Sequence, residues 1–370
     1  MEMKHGRLLS LDVFRGMTIA GMIIVNGPGN DDFVFPQLAH SEWNGCTFAD
    51  FIFPFFLFIV GVAITLSLSK RKGRGDNQIR LMMKTFRRSA IIFLLGLVLG
   101  LFPVFDITNL VLTGVLKTIA VVYFFTALIF LITDLKTQKI ILAVILVVYW
   151  IAITFLPDPG AVAANLSRGT NLGEWLNKFF SQNSLLRSCW DIFGRITTVP
   201  AVATSLLGVL TGNLLLSNED NTTKTVKMFI VGNIMIFTAY ILSFWFPINK
   251  LMWTSTFVLF TGGFALNLFS LCFWVVDVKE YKFWIKPFQA FGMNALAVYF
   301  MAVLAGRYLK FIKVTDSSGN LVNLKGYIYN AVFLPLADPI NASFIYSIVY
   351  TLFWLGFVWF LFKKKIFIKV

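Results

Sequence analysis

Ten stretches of mostly apolar residues, each near the thickness of a bilayer, constrain this chain more than any motif it contains. A helix needs ~20 such residues to cross the hydrocarbon core, where every backbone N–H and C=O must find its partner within the segment. The runs lie at 9–27, 48–69, 88–105, 110–133, 139–156, 192–216, 227–247, 251–276, 285–305 and 344–362. They specify an all-α integral membrane protein, a polytopic bundle of about ten transmembrane helices, with residues 1–370 forming a single transmembrane domain. A 58% hydrophobic share with 14% charged residues and a mean hydropathy of +0.77 lies far from soluble composition. The first run carries Asp12 and Arg15 and has no small-residue cleavage site, so it reads as a retained span rather than a secretory leader.

The net charge of +14 invites a nucleic-acid partner, but its placement argues against one. With the N-terminus placed in the cytoplasm, 21 of the 32 Lys and Arg fall in inner segments and 8 in outer ones. The densest inner group is Lys70, Arg71, Lys72, Arg74, Arg80, Lys84, Arg87 and Arg88. Cytoplasmic loops carry the excess of Lys and Arg, so the expected topology is N-in and C-in, with membrane lipids meeting part of the charge. The three cysteines are scattered without CxxC spacing, which supports neither a metal site nor a disulfide framework.

Residues 28–47, the first outer connection, hold Asp31, Asp32 and Glu42 and no Lys or Arg. They also hold His40, one of only two histidines; the other, His5, lies in a polar tail. Imidazole titrates nearest neutral pH, which suits it to proton transfer or acyl acceptance. Ten residues on, Asp50 opens the second span. Its carboxylate can orient a nearby imidazole, or simply serve the positive end of the helix dipole. Asn26, beside Gly27-Pro28-Gly29, and Asn44, before Gly45, are turn residues or hydrogen-bond donors to an oxyanion. Trp43 belongs to an interfacial aromatic belt or packs on a sugar ring, with Glu42 beside it as a second substrate contact.

Three cations remain inside the spans: Arg15, Lys117 and Arg195. A charge at the bilayer centre costs at least ~2.5 kcal/mol, so such residues face a polar interior and act there. Arg15 can pair with Asp12 three residues earlier, and Asp191 stands four residues before Arg195. Together the three suit an anionic ligand with several phosphates, such as a nucleotide-type cofactor reaching in from the cytoplasm.

Leu11-Asp12-Val13-Phe14-Arg15-Gly16, Val25-Asn26, His40 through Trp43-Asn44-Gly45, Asp50 and Phe53-Pro54-Phe55 resemble the heparan-α-glucosaminide N-acetyltransferase family. The likeness continues through Val115-Leu116-Lys117-Thr118-Ile119-Ala120, Pro247-Ile248-Asn249-Lys250, Trp253-Thr254-Ser255-Thr256-Phe257-Val258, Phe291-Gly292-Met293-Asn294-Ala295 and the basic end from Lys363 to Lys369. The resemblance implies an acetyltransferase that takes acetyl-CoA from the cytosol and acetylates a terminal glucosamine across the membrane. It places the active-site histidine at His40. It also implies a bacterial inner-membrane protein whose acceptor is an amino sugar or oligosaccharide, and it makes a homodimer reasonable. The resemblance, as far as it runs, carries the expectation that the extra luminal domain and preceding span of the family's lysosomal members are not shared, and Ser41-Glu42 follow the histidine here.

On this reading Arg15, Lys117 and Arg195 are candidates for the acetyl-CoA phosphates or the cavity wall. His40, Asp50, Asn26 and Asn44 form the catalytic set, and no metal is expected. Two rivals use the same features: an O-acyltransferase of envelope glycans, and a sugar or anion transporter, in which intramembrane charges are common.

Overall fold

The computed structural model describes residues 8–105, 114–157, 159, 163–182, 196–316 and 319–368. Helices dominate them: α1 (Leu9–Asn26), α2 (Phe48–Gly73), α3 (Gln78–Leu101), α4 (Val115–Ile132), α5 (Leu135–Phe155), a short α6 (Leu172–Gln182), α7 (Thr198–Leu215), α8 (Asn221–Leu242) and α9 (Ser255–Phe273). The chain continues with α10 (Ile285–Met293), α11 (Ala295–Phe311), a two-stranded hairpin of β1 (Lys313–Thr315) and β2 (Leu321–Asn323), α12 (Leu324–Ile328) and α13 (Pro339–Lys363).

Among the described residues, eight helices are long and apolar enough to cross a membrane, and the bent pair α10–α11 supplies a ninth. The run expected from residue 88 belongs to α3, which starts ten residues earlier because its first turns are cationic but helix-forming. Its apolar half is completed at the far end by Arg307, whose guanidinium donates to the Leu99 and Phe102 carbonyls that terminate the helix.

The single span expected at 285–305 is instead two helices meeting at 81°. Close packing explains the break. Gly16 and Gly292 let α1 and α10 touch backbone to backbone; a Cβ on either would collide with the carbonyl of Phe288 or Asp12. At the elbow, the Asn294 amide donates to the Ile366 carbonyl (3.2 Å) and its oxygen accepts from the Ile368 N–H (2.9 Å). α11 alone then runs from that end of the bundle to the end where Arg307 meets α3.

Cross-links at the helix ends sort the bundle into two faces. On one, the Asp277 carboxylate, in a π-turn ending α9, accepts from the Ser10 N–H at the start of α1 (3.1 Å). Lys72 on the same face donates to the Phe130 and Thr133 carbonyls (2.6 Å each), closing the end of α4. On the other face, Gly29 bonds the Ser343 carbonyl (3.2 Å) and Tyr149 the Met252 carbonyl (2.5 Å). The start of α1 and the end of α13 share the first face, and the 27–47 connection caps the second.

α2 and α7 form the centre, with 67% and 78% of their apolar windows buried, whereas α5 and α8 are peripheral at 22%. Gly61 against the Ser205 carbonyl and Gly208 against the Phe58 carbonyl bring the central pair together at a distance no side chain permits. This contact fixes the helix whose first turn carries Asp50.

Candidate active site

Asp50 is the third residue of α2 and has no exposed surface. Its position follows from helix capping: the carboxylate accepts from the N–H of the N-cap residue Thr47 (3.1 Å), as a capping box requires. The same oxygen, Oδ2, takes the Thr47 hydroxyl and the Ser41 N–H, both at 3.1 Å. Oδ1 is left for other partners. It meets His40 Nδ1 at 2.9 Å and Lys250 Nζ at 3.0 Å.

Lys250 also lies 2.9 Å from His40 Nδ1 and 3.5 Å from Nε2. The three side chains therefore form a triangle around one ring nitrogen. His40 is half exposed, with 51% of its side chain open, while Lys250 keeps only 17%. Burial pushes the Lys250 ammonium below its ordinary value, opposed by the charge and hydrogen bond of Asp50. Cys46 lies close by, and burial first, then the Asp50 charge, pushes its thiol up to about 12.

The supporting loops are held on both sides. The 27–47 connection is tied down by Asp31, which pairs with Lys310 (2.6 Å) and Lys325 (3.2 Å), and by the Thr47 hydroxyl bonded to the Ala39 carbonyl (2.7 Å). The 243–254 connection meets it through Gly45 N–H to the Ile248 carbonyl (2.8 Å) and the Asn249 amide to Asn44 Oδ1 (3.2 Å).

The expected residues divide accordingly. His40 and Asp50 are in direct contact, and Asn44 is one residue link away through Asn249. Trp43 turns its indole N–H to the Leu166 carbonyl (3.0 Å) and packs beside Tyr149, Phe246 and Met252, so most of it is an anchor between connections. Glu42 is exposed beside it, and Asn26 is exposed at the end of α1 without a bond to the triangle.

The internal cations are not one cluster. Arg15 contacts Asp12 Oδ1 and the Gly292 carbonyl, both at 3.4 Å, in the half of the bundle far from His40. Lys117 is buried at the opposite end, in the first turn of α4, with its stem against Gly96 of α3. Arg195 lies outside the described residues. An apolar groove of about 330 Å³ between α3 and α4, lined by Met82, Phe86, Phe124 and Leu128 among others, contains none of these residues.

Lys250 is the residue that sequence reasoning missed. It counted only as an outer-loop cation, although it ends Pro247-Ile248-Asn249-Lys250, a segment already singled out. A basic residue set between Asn and a span on the cation-poor side was the available signal.

A family model described as the catalytic region of heparan-alpha-glucosaminide N-acetyltransferase matches residues 7–246. The chain is 27% identical to the mouse protein named heparan-alpha-glucosaminide N-acetyltransferase over 98% of its own length, and 26% identical to the human one over the same share. It spans 60% of the length of each of these relatives.

Proposed function

This chain belongs to the heparan-alpha-glucosaminide N-acetyltransferase catalytic family, and on that premise we propose that it moves an acetyl group from cytoplasmic acetyl-CoA to an extracytoplasmic amino sugar of the terminal-glucosamine type. The observation that carries this reading is the His40–Asp50 pair, a half-exposed imidazole held at 2.9 Å by a buried carboxylate on the cation-poor face of a membrane bundle. A hydrogen bond from Nδ1–H to Asp50 leaves the Nε2 lone pair free, which both chemical routes require.

In the direct route, the acceptor amine forms a C–N bond to the thioester carbonyl carbon as Nε2 takes the amine proton. The tetrahedral oxyanion then re-forms the carbonyl, the C–S bond breaks, and the CoA thiolate picks up a proton. In the relay route, Nε2 itself forms the bond to the acetyl carbon as the C–S bond breaks and the CoA thiolate leaves and takes up a proton; the amine then bonds to that carbon, gives up a proton, and the C–Nε2 bond breaks to return the imidazole. Asn44 and Asn26 are the candidate oxyanion donors. Arg15, on the half of the bundle assigned to the cytoplasm, is the described cation on the donor's side, Lys117 belongs to the cavity wall near the acceptor's side, and Trp43 with Glu42 borders the acceptor. The proposed setting is a bacterial inner membrane, N-in and C-in, with the protein able to form a homodimer.

The test is acetyl-CoA consumption by purified protein against a panel of glucosamine-ended sugars, comparing wild type with His40→Ala. Loss of turnover in the variant is expected, and equal turnover in both would overturn the reading. Mass spectrometry should find an amide; an ester would instead identify a hydroxyl acceptor. A burst of acetyl-enzyme with acetyl-CoA alone selects the relay route, and its absence selects direct transfer.

A further inference from the structure

We propose that the groove between α3 and α4 binds one anionic phospholipid, with an acyl chain lying along the groove and the phosphate meeting Arg80, Lys84 and Arg87. Such a site uses none of the residues assigned to acetyl transfer and stands apart from that reading.

The two helices run antiparallel. Ser89 Oγ of α3 donates to the Ala120 carbonyl of α4 (2.7 Å), and one turn on the rings of Phe86 and Phe124 meet edge to face at 5.9 Å. From there to the end of α4 lies the groove, about 330 Å³, walled by Met82, Phe86, Phe124, Leu128 and Leu131 among others. Met83 and Phe86 keep 62% and 55% of their surface exposed, so the groove opens outward rather than into the bundle. The stretch from Phe124 to Leu131 is ~10 Å of helix, against ~15 Å of hydrocarbon in one leaflet. It therefore takes the upper part of one acyl chain, and its flexible methionines adapt to a chain without fixed shape. Its outer end lies where Lys72 closes the last turn of α4 at the Phe130 and Thr133 carbonyls, on the cation-rich face.

The first three turns of α3 supply the charge. By helical spacing Ile79, Met82, Met83 and Phe86 share one side, and Arg80, Lys84 and Arg87 recur at i, i+4 and i+7 on the adjoining side. All three cations are exposed, and among the described residues no carboxylate pairs with any of them. A single acid, Asp76, stands in the turn before the helix. Antiparallel pairing sets Arg80 level with the outer end of the groove, and the stems of Lys84 and Arg87 are long enough to snorkel to the same layer. A basic row beside an apolar slot between spans fits an anionic headgroup on its own acyl chain, each cation adding roughly a fivefold preference. A second copy docked here by two-fold symmetry would set this row against itself, so like charges disfavour it.

The experiment offers the full chain in neutral detergent equal amounts of phosphatidylglycerol and phosphatidylcholine with the same acyl chains, and counts bound lipid by native mass spectrometry. The wild type should retain one phosphatidylglycerol per chain in preference to phosphatidylcholine. Replacing the row together, Arg80→Gln, Lys84→Gln and Arg87→Gln, should cut that preference roughly a hundredfold. Leu128→Trp, which fills the groove, should abolish retention. Lys363→Gln, Lys364→Gln and Lys365→Gln together, on α13 at the same end of the bundle, should leave the preference unchanged. Equal retention of the two lipids by the wild type, or a preference that the α3 variant keeps, would overturn the site. An equal loss in the α13 variant would overturn it too, because the attraction would then be diffuse. Glycerol phosphate binding as tightly as the whole lipid would show that the groove adds nothing, and a dimer lost on Leu128→Trp would give the groove to a second copy; either overturns it. If Leu128→Trp fails to fold, the α3 variant, whose changes are confined to exposed side chains, decides alone.

Discussion

Replacing Asp50 by Asn tests the site at its most connected atom pair. The carboxylate takes Thr47 N–H and Ser41 N–H on Oδ2 and meets His40 and Lys250 on Oδ1, while the single Thr47 hydroxyl proton is shared between Oδ2 and the Ala39 carbonyl. An asparagine can keep its oxygen toward the Oδ2 partners. Its NH₂ then faces Nδ1 and the Lys250 ammonium, so a donor meets a donor and a buried cation loses its counter-charge. Removing one partner of a buried pair costs about 3–5 kcal/mol. Lys250 keeps 17% exposure, which places the expected loss near the low end, about 3 kcal/mol. That is roughly a hundredfold in the folding equilibrium. The new amide also donates to Nδ1 and drives the proton to Nε2. A comparable Asp-to-Asn change beside a catalytic histidine costs about 10⁴ in kcat. The assay is thermal melting in detergent followed by acetyl transfer on the folded fraction. Lys250→Met added to Asp50→Asn should recover part of the melting loss, because the stranded charge is gone. An Asp50→Asn protein that melts like the wild type and keeps its rate within tenfold would refute both halves of the reasoning.

Further outcomes follow from other parts of the fold. Gly208→Val should destabilise the bundle by about 1–3 kcal/mol or prevent its recovery from the membrane, since its side chain enters the Phe58 backbone; normal melting would show that α2 and α7 are not so close. Asn294→Ala should release the segment at Ile366–Ile368, making the Lys363–Lys365 region cut faster by trypsin while the bundle stays intact. With the other two cysteines replaced, Cys46 should react with iodoacetamide at pH 8 roughly a thousandfold more slowly in folded than in denatured protein, because its thiol is pushed up to about 12 and the thiolate is the nucleophile. Equal rates would show that it is neither buried nor beside the Asp50 charge.

Much of this architecture is legible residue by residue. The runs at 48–69 and 344–362 correspond to α2 and α13 because an apolar segment of that length has few alternatives in lipid. The elbow at Asn294 is not legible that way: its cause is the collision-free contact of Gly292 with α1, some 280 residues earlier, and a hydrogen bond to the tail. The start of α3 at Gln78 was hidden for a different reason. Hydropathy reports where a helix enters lipid, not where it begins, and the cationic turns before residue 88 are helical too. At the site, His40 and Asp50 stand ten residues apart around one helix start, so capping chemistry alone makes their meeting plausible.

The sequence by itself determined that this chain is a membrane bundle and where most of its long apolar helices run, and it singled out one histidine in a connection poor in cations. These are local properties, set by the length of each apolar run and the charge of each loop. Only the tertiary structure decided that Arg15 and Lys117 lie at opposite ends of the bundle and that Lys250, 210 residues from His40, completes the triangle. Helix packing settles such meetings through backbone contacts like Gly61 with Ser205, and no local signal states which loops those contacts bring together.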